Sequence, residues 1–179
     1  MRVASLCAAV LIASVVVAAD ERSVLFDEDV DFSMFRSFAL RNTGVTSDRP
    51  ELSSPLVMQA IGDAIRASLV GRGLGDGGAR ADVVVEYSVS GVDFEVGPFG
   101  RPWPIEAGRG GRGGRREAVK LAFTEATMVI DVKREDSRAL VWRGVYRIAD
   151  GEMQKLVDAL PKNAVRLLSQ YPPKRKGRS

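Results

Sequence analysis

The chain has no histidine and only one cysteine, Cys7, among its 179 residues. Nucleophile–histidine catalysis is therefore excluded, and so are the common Cys/His zinc sites. Charge is also nearly balanced, with 26 Lys and Arg against 23 Asp and Glu, which argues against a globally basic nucleic-acid binder. Because Cys7 lies in the N-terminal segment, no disulfide is available to the rest of the chain, and stability must come from a packed core.

The first nineteen residues have the features of a secretory signal peptide. Arg2 gives a positive start, residues 3–17 are apolar, and Val17-Ala18-Ala19 places small residues before Asp20. This pattern predicts a signal peptide over 1–19 and an exported chain that begins at Asp20. The apolar run is shorter than the roughly 20 residues of a membrane span, and no later segment qualifies. An uncleaved N-terminal anchor is the alternative.

Residues 118–148 predict the hairpin around which the fold is organised. Apolar side chains alternate with charged ones along two runs: Met128, Ile130 and Val132, then Leu140, Trp142, Tyr146 and Ile148. Alternate side chains of a strand point to opposite faces, so this hairpin has one apolar face and one wet face. Trp142 and Tyr146 are therefore expected in the core rather than on a stacking platform.

Two helical patterns are candidates to cover the apolar face. Ser54-Pro55 predicts a helix start, and a stripe at helical spacing runs from Val57 to Leu69. A second stripe follows Asp150, a candidate cap, and runs to Tyr171; Pro161 inside it should kink or split the helix.

Strands are expected on the N-terminal side of the hairpin as well. Val24–Leu40 predicts a strand pair, or a strand and a turn, with aromatic anchors, and Asn42–Pro50 predicts a loop. A strand is expected over Ala81–Val89. The fold class is thus α+β, with an antiparallel sheet of about five strands covered on one face by two helices.

Along two predicted strands, the apolar side chains change from odd-numbered to even-numbered positions, so the apolar face of the strand reverses. The change occurs at Gly91 in one strand and near Ala126 in the next, and a glycine at such a position suggests a bulge or bend. If the two strands pair about a loop near Ala107, the two reversals face each other. This predicts a long β-arm that uses one face at its base and the other face further out.

A Gly/Arg-rich loop, residues 97–117, is predicted at the tip of this arm and is expected to be flexible. Arginine pairs with phosphate and carboxylate, and glycine lets the backbone approach a ligand closely. The candidate anion-binding residues are Arg101, Trp103, Arg109, Arg112, Arg115 and Arg116. A solvated tip without a specific ligand is the alternative interpretation. A basic, disordered tail is expected over 172–179, which leaves 20–171 as a single domain.

Other polar clusters in the sequence are weaker candidates for a functional site. Asp27, Asp29 and Asp31 would share one face of a strand, yet a calcium loop would need glycine where Phe32 stands. A solvated strand edge is the simpler explanation, and a carboxylate-dependent hydrolase is the last alternative. No catalytic residue, metal or cofactor is predicted. The lysines, among them Lys155 and Lys162, have no adjacent serine motif and are expected to be surface residues.

Several segments in this order resemble a bacterial family catalogued as domain of unknown function 4136 (DUF4136). The matching segments are Phe26-Asp27, Asp31-Phe32-Ser33, Phe35, Ser37-Phe38, Gly73-Leu74, residues 81–87, 128–131 and 140–144, and Tyr171-Pro172-Pro173. The resemblance implies an exported α+β envelope protein of a Gram-negative bacterium, often a lipoprotein, with no established activity. Cys7 precedes most of the apolar run, so this chain is not expected to be lipidated.

Sequence and resemblance together predict a periplasmic or envelope-associated module without enzymatic activity. Its Arg–Gly loop would contact anionic lipid, lipopolysaccharide or a cell-wall polymer, whereas nucleic acid is not expected. The alternative is a structural envelope component that recruits a protein partner through its sheet.

Overall fold

The computed structural model describes residues 21–96, 102–104 and 121–173. Within these residues, seven strands form one sheet, and two α-helices of sixteen residues each accompany it. The strands are β1 (Glu21–Phe26), β2 (Ser37–Thr46), β3 (Gly75–Asp76), β4 (Val83–Val96), β5 (Pro102–Pro104), β6 (Leu121–Arg134) and β7 (Leu140–Asp150); the helices are α1 (Pro55–Val70) and α2 (Met153–Leu168).

The sheet order is β1-β7-β6-β4-β2-β3, and β5 pairs with the outer part of β4. The predicted α+β class and the central β6–β7 hairpin are confirmed, but two details of the prediction are wrong. In the described part of the chain the sheet has seven strands instead of about five, although β3 and β5 contain only two and three residues. It is also not purely antiparallel, because β2 runs parallel to β4. A parallel pair needs a crossover connection, and α1 supplies it.

Both helices pack on one face of the sheet. The core between these layers contains Trp142 and Tyr146, which are 0% and 1% exposed, as predicted. It is completed by side chains from α1 and α2, including Ile61, Ile65, Leu160 and Leu167. Aromatic rings close the end of the sheet where the chain leaves α2, since Tyr171 contacts both Trp142 and Phe32 edge-to-face. These two layers bury the apolar faces that neither layer could bury alone.

Several local predictions are corrected by the structure. Pro161 does not split α2, which continues from Met153 to Leu168. Asp150 is not the cap residue; Glu152 takes that position, and the Asp150 carboxylate accepts a hydrogen bond from its backbone N–H. The expected loop at Asn42–Pro50 begins later, because β2 extends to Thr46 across an irregularity between Asn42 and Gly44 that keeps it paired with β4.

The long arm is formed by β4 and β6. Their pairing is continuous over fourteen residues, and Gly91 lies opposite Ala126, so the two parity reversals do face each other. The bulge expected at Gly91 is absent from this register. Gly91 is required instead by close packing, since a Cβ there would collide with the side chains of Leu52 and Ser47. Beyond Gly91 the apolar positions of β4 lie on the opposite face of the sheet, although the pairing register with β6 is unchanged.

The start of β4 is tied to the start of β2 by one carboxylate. Asp82 Oδ2 accepts hydrogen bonds from the backbone N–H groups of Arg36 and Ser37 at 2.8 and 2.9 Å, and from Ser37 Oγ at 2.9 Å. The Ser37 hydroxyl accepts one from the Asp82 N–H in return. The backbone bond from Arg36 and the bond from the Ser37 hydroxyl hold the pKa of Asp82 below its ordinary value.

Gly144 provides the first stability prediction. A Cβ at this position would lie 2.5 Å from Trp142 Cη2 and 2.6 Å from Leu167 Cγ, between β7 and α2. Gly144→Ala should therefore lower the free energy of unfolding by about 1–3 kcal/mol through overpacking. Urea denaturation of this variant measures the loss. Gly75→Ala is the matched control, because its Cβ would make only an ordinary contact at 3.8 Å. Equal stability of the two variants would contradict the packing argument.

Asp82→Ala should destabilise the protein by roughly 1–2 kcal/mol at neutral pH, since it leaves two backbone N–H groups without their acceptor. A carboxyl pKa lowered by folding contributes stability above its unfolded value of about 3.9, and that contribution disappears as pH falls through the lower folded value. The difference between wild type and variant should accordingly shrink on acidification. Denaturation curves between neutral pH and pH ~2.5 test this, with Asp48→Ala as a control in an exposed loop. A difference that stays constant with pH would refute the role of the Asp82 charge.

Candidate functional site

The outer arm is the first candidate surface. Val92–Val96 of β4 pair with Leu121–Glu125 of β6, and Pro102–Pro104 add a third strand along β4. Val92 is 53% exposed on the sheet face opposite the helices, which we call the open face. The arm thus has a partly apolar surface next to the residues that connect its two strands.

A polar clamp fixes the base of the arm. Arg49, from the loop before α1, places Nε 2.8 Å from Asp93 Oδ2, and the Thr124 hydroxyl donates to Asp93 Oδ1 at 2.7 Å. Although burial raises it, the pKa of Asp93 lies below its ordinary value because of the bonds from Arg49 and Thr124. The carboxylate therefore stays ionised at neutral pH and links both arm strands to the loop before α1.

The sequence-predicted site residues are only partly located. The backbone of Trp103 lies in β5, opposite Glu95 of β4. The other five candidates lie outside the described residues: Arg101, Arg109, Arg112, Arg115 and Arg116. Most of the predicted flexible loop, residues 97–117, lies outside them as well, although its residues 102–104 form β5. The predicted signal peptide and most of the predicted basic tail are also outside the described residues. Their roles stay predictions.

Charge is segregated along the chain. The described residues contain 15 Lys and Arg against 20 Asp and Glu, a net charge of −5. Residues 97–120 contain six basic and two acidic residues, a net charge of +4, and residues 174–179 contain four basic residues and no acidic one. The small net charge of the whole chain is therefore the sum of two basic segments and a described part that is acidic.

The open face largely neutralises its own charges. Arg143 makes a bidentate ion pair with Asp131, both contacts at 2.7 Å, and Lys133 Nζ lies 2.6 Å from Glu86 Oε2. Asp131 is only 8% exposed. Sequence alternation predicts the wet face but not these partners, because the partners depend on the register between strands.

The aspartates after β1 serve the local backbone. Asp27 Oδ1 accepts from the Asp29 N–H at 3.0 Å, and Asp31 Oδ1 accepts from the Ser33 N–H and hydroxyl at 3.2 and 2.8 Å. They follow β1 in a turn and a short 3-10 helix, so the shared strand face expected for them is wrong. Within the described ranges, no group of three or more Cys, Asp or Glu side chains is placed to hold a metal ion.

A groove that sequence reasoning missed lies between β7 and α2. It has a volume of about 460 Å³; its floor is formed by Tyr146, Ile148 and Asp150, and Lys162 and Asn163 are among the α2 residues that line its wall. Lys155, Lys162 and Arg166 recur at intervals of seven and four, which places them on one helical face. This spacing is the feature of the sequence that could have indicated the groove. The groove itself depends on how α2 lies against β7.

In the part of the chain that the structure describes, neither helix is long and apolar enough to cross a bilayer.

Two solved structures with TM-scores above 0.5 have a similar fold. A DUF4136 family protein from Bacteroides thetaiotaomicron is 14% identical with a TM-score of 0.51, over 86% of this chain and 96% of that one. A PDZ domain protein from Parabacteroides distasonis is 13% identical with a TM-score of 0.52, over 89% of this chain and 38% of that one. The PelC dodecamer from Paraburkholderia phytofirmans is 10% identical with a TM-score of 0.48, over 84% and 96% of the two chains.

None of the curated proteins compared with the chain matches it. The family profile described as "Domain of unknown function (DUF4136)" matches residues 23–173, which is most of the sequence. The match includes both helices and six complete strands, and it begins within β1. The chain therefore belongs to the DUF4136 family.

Proposed function

We propose that this protein is an exported, non-catalytic binding module whose Arg–Gly loop contacts anionic material of the cell envelope. The observation that carries the proposal is the segregation of charge. A segment of net charge +4 connects the strands of the arm, while the described residues carry a net charge of −5. An anionic surface would repel the acidic part and attract the loop, so contact is expected at the arm.

The length of the arm supports this orientation. Five residues of β4 extend past Gly91, and at roughly 3.3 Å per residue they span about 16 Å. The Debye length at 0.1 M salt is about 10 Å, so acidic residues below Gly91 would act only weakly on the loop, and the nearest acidic residues would be those of the arm itself: Asp93, Glu95 and Glu125. The clamp of Arg49, Asp93 and Thr124 would keep the arm in this position.

The chemistry of the loop suits a ligand rich in phosphate or carboxylate. Arginine forks bind both groups bidentately, and Trp103 would add aromatic surface at a headgroup region. Lipid phosphate, lipopolysaccharide phosphate and acidic cell-wall polymers share this chemistry. RNA shares it too, but the predicted export removes RNA from reach.

A protein partner recruited through the sheet is the second candidate. Leu25 is 68% exposed on β1, which is the last strand on its side of the sheet. It lies opposite Arg143 in the register and so belongs to the open face. An apolar contact there would be much less sensitive to salt than contact through arginines.

Co-sedimentation of the mature chain, residues 20–179, tests the proposal. The probes are vesicles of phosphatidylglycerol and phosphatidylethanolamine, vesicles of phosphatidylcholine alone, and a Gram-negative cell-wall fraction. We expect binding to at least one anionic probe at low salt and its loss at high salt. Changing the five loop arginines to Ala should lower the ratio of bound to free protein at least tenfold, or about 1.4 kcal/mol.

The basic tail provides a matched control. Changing Lys174, Arg175, Lys176 and Arg178 to Gln removes a similar charge outside the arm. This variant should retain most of the binding. If both variants lose binding equally, net charge alone explains the binding. Unchanged binding of the arginine variant would contradict a role for the loop. Binding that resists salt and is lost in Leu25→Asp would favour the protein-partner alternative.

A further inference from the structure

We propose that the anionic material contacted by this protein is a lipid bilayer, and that the open face of the arm lies at the boundary between its headgroups and its acyl chains. The inference rests on the proposed function, in which the Arg–Gly loop contacts anionic envelope material. It adds a second, apolar contact made by residues of β4 and β6. A bilayer, unlike an acidic cell-wall polymer, offers an apolar phase directly beneath its anionic headgroups.

The arm has an apolar face of its own. In the register of β4 with β6, Phe94 lies opposite Phe123 and Val96 lies opposite Leu121. Residues directly opposite in an antiparallel pair share a face of the sheet, and so do alternate residues of one strand. These four positions therefore lie on the same face as Val92, which is 53% exposed on the open face.

This apolar face begins where the sheet leaves the helices. On the core side of Gly91 the open face is largely polar, with Ser88 and Ser90 of β4, Thr127 of β6 and the ion pairs described above. Both helices pack on the other side of the sheet, so the apolar positions beyond Gly91 are not part of the core between the layers. Contiguous exposed apolar surface of this kind is typical of sites that contact a membrane or a protein.

The acidic residues of β4 occupy the alternate positions. Asp93 and Glu95 belong to the face on which the helices pack, and the Asp93 carboxylate is bound there by Arg49. Glu125 is on the open face, but it lies opposite Val92 at the base of the arm. If the open face of the arm meets an anionic surface, two of these three carboxylates therefore lie on the far side.

Charge favours a membrane over a protein partner for this face. Residues 97–120, which connect the strands next to the apolar positions, have a net charge of +4, whereas the described residues have a net charge of −5. Apolar surface beside a basic segment is the combination by which peripheral proteins bind anionic bilayers. A second copy of the chain carries the same basic segment, so packing two arms side by side through this face is opposed by repulsion.

Site-specific fluorescence tests the contact. The predicted mature chain, residues 20–179, has no cysteine, so Val92→Cys gives a single attachment point for an environment-sensitive nitrobenzoxadiazole label. On vesicles of phosphatidylglycerol and phosphatidylethanolamine we expect the emission of this label to shift to the blue. Lipids that carry a doxyl group in their acyl chains should quench it. Leu25→Cys is the matched control, because Leu25 is 68% exposed on the same face but lies on β1, outside the arm. Its label should keep the emission that it has in water.

A double variant, Val92→Asn with Phe94→Asn, removes apolar area from the arm without changing its charge. On the same vesicles it should lower the ratio of bound to free protein at least tenfold, or about 1.4 kcal/mol. Leu25→Asn should bind like wild type. Val92 is exposed and Phe94 is only partly buried, so the double variant should keep the circular dichroism spectrum of the wild type. The fluorescence test does not depend on this variant.

The results separate this inference from the proposed function. Salt-sensitive binding to vesicles or to the cell-wall fraction, with an unshifted label on Val92→Cys and full binding by the double variant, would overturn the apolar contact and leave the role of the loop intact. A lack of binding to every anionic probe would overturn both. A blue shift that needs no vesicles and grows with protein concentration would show that this face packs against a second copy, which would also overturn the membrane contact.

Discussion

The fourteen-residue pairing of β4 with β6 is the interaction on which the rest of the structure depends. One end of this ribbon lies under the helices, and its buried side chains form the centre of the core. The other end continues past Gly91 and becomes the arm. Because the register is continuous, the orientation of the arm is determined by the same hydrogen bonds that organise the core.

This pairing explains which parts of the fold are predictable from sequence. The alternation of apolar and polar residues in β4, β6 and β7 is strong, and the facing positions of Gly91 and Ala126 follow from counting residues about the connecting loop. The parallel position of β2 does not follow, since it depends on the crossover through α1. The role of Asp82 is equally non-local, because its acceptor bonds reach residues more than forty positions earlier.

The candidate sites divide in the same way. The Arg–Gly loop is visible in the sequence because its composition is unusual. The groove is not, because Lys162 and Asn163 are ordinary helix residues until α2 is placed against β7. The aspartates after β1 show the opposite case: a conspicuous sequence cluster whose carboxylates support a turn and a short helix.

The separation of charge determines how the isoelectric point of the chain should be interpreted. The sequence has an isoelectric point of about 9.2. That value reflects residues 97–120 and the last six residues, since the described part alone carries a net charge of −5. A chain that lacks both residues 97–120 and the last six residues would run as an acidic protein on an ion-exchange column. Chromatographic behaviour therefore reports whether the basic segments are intact.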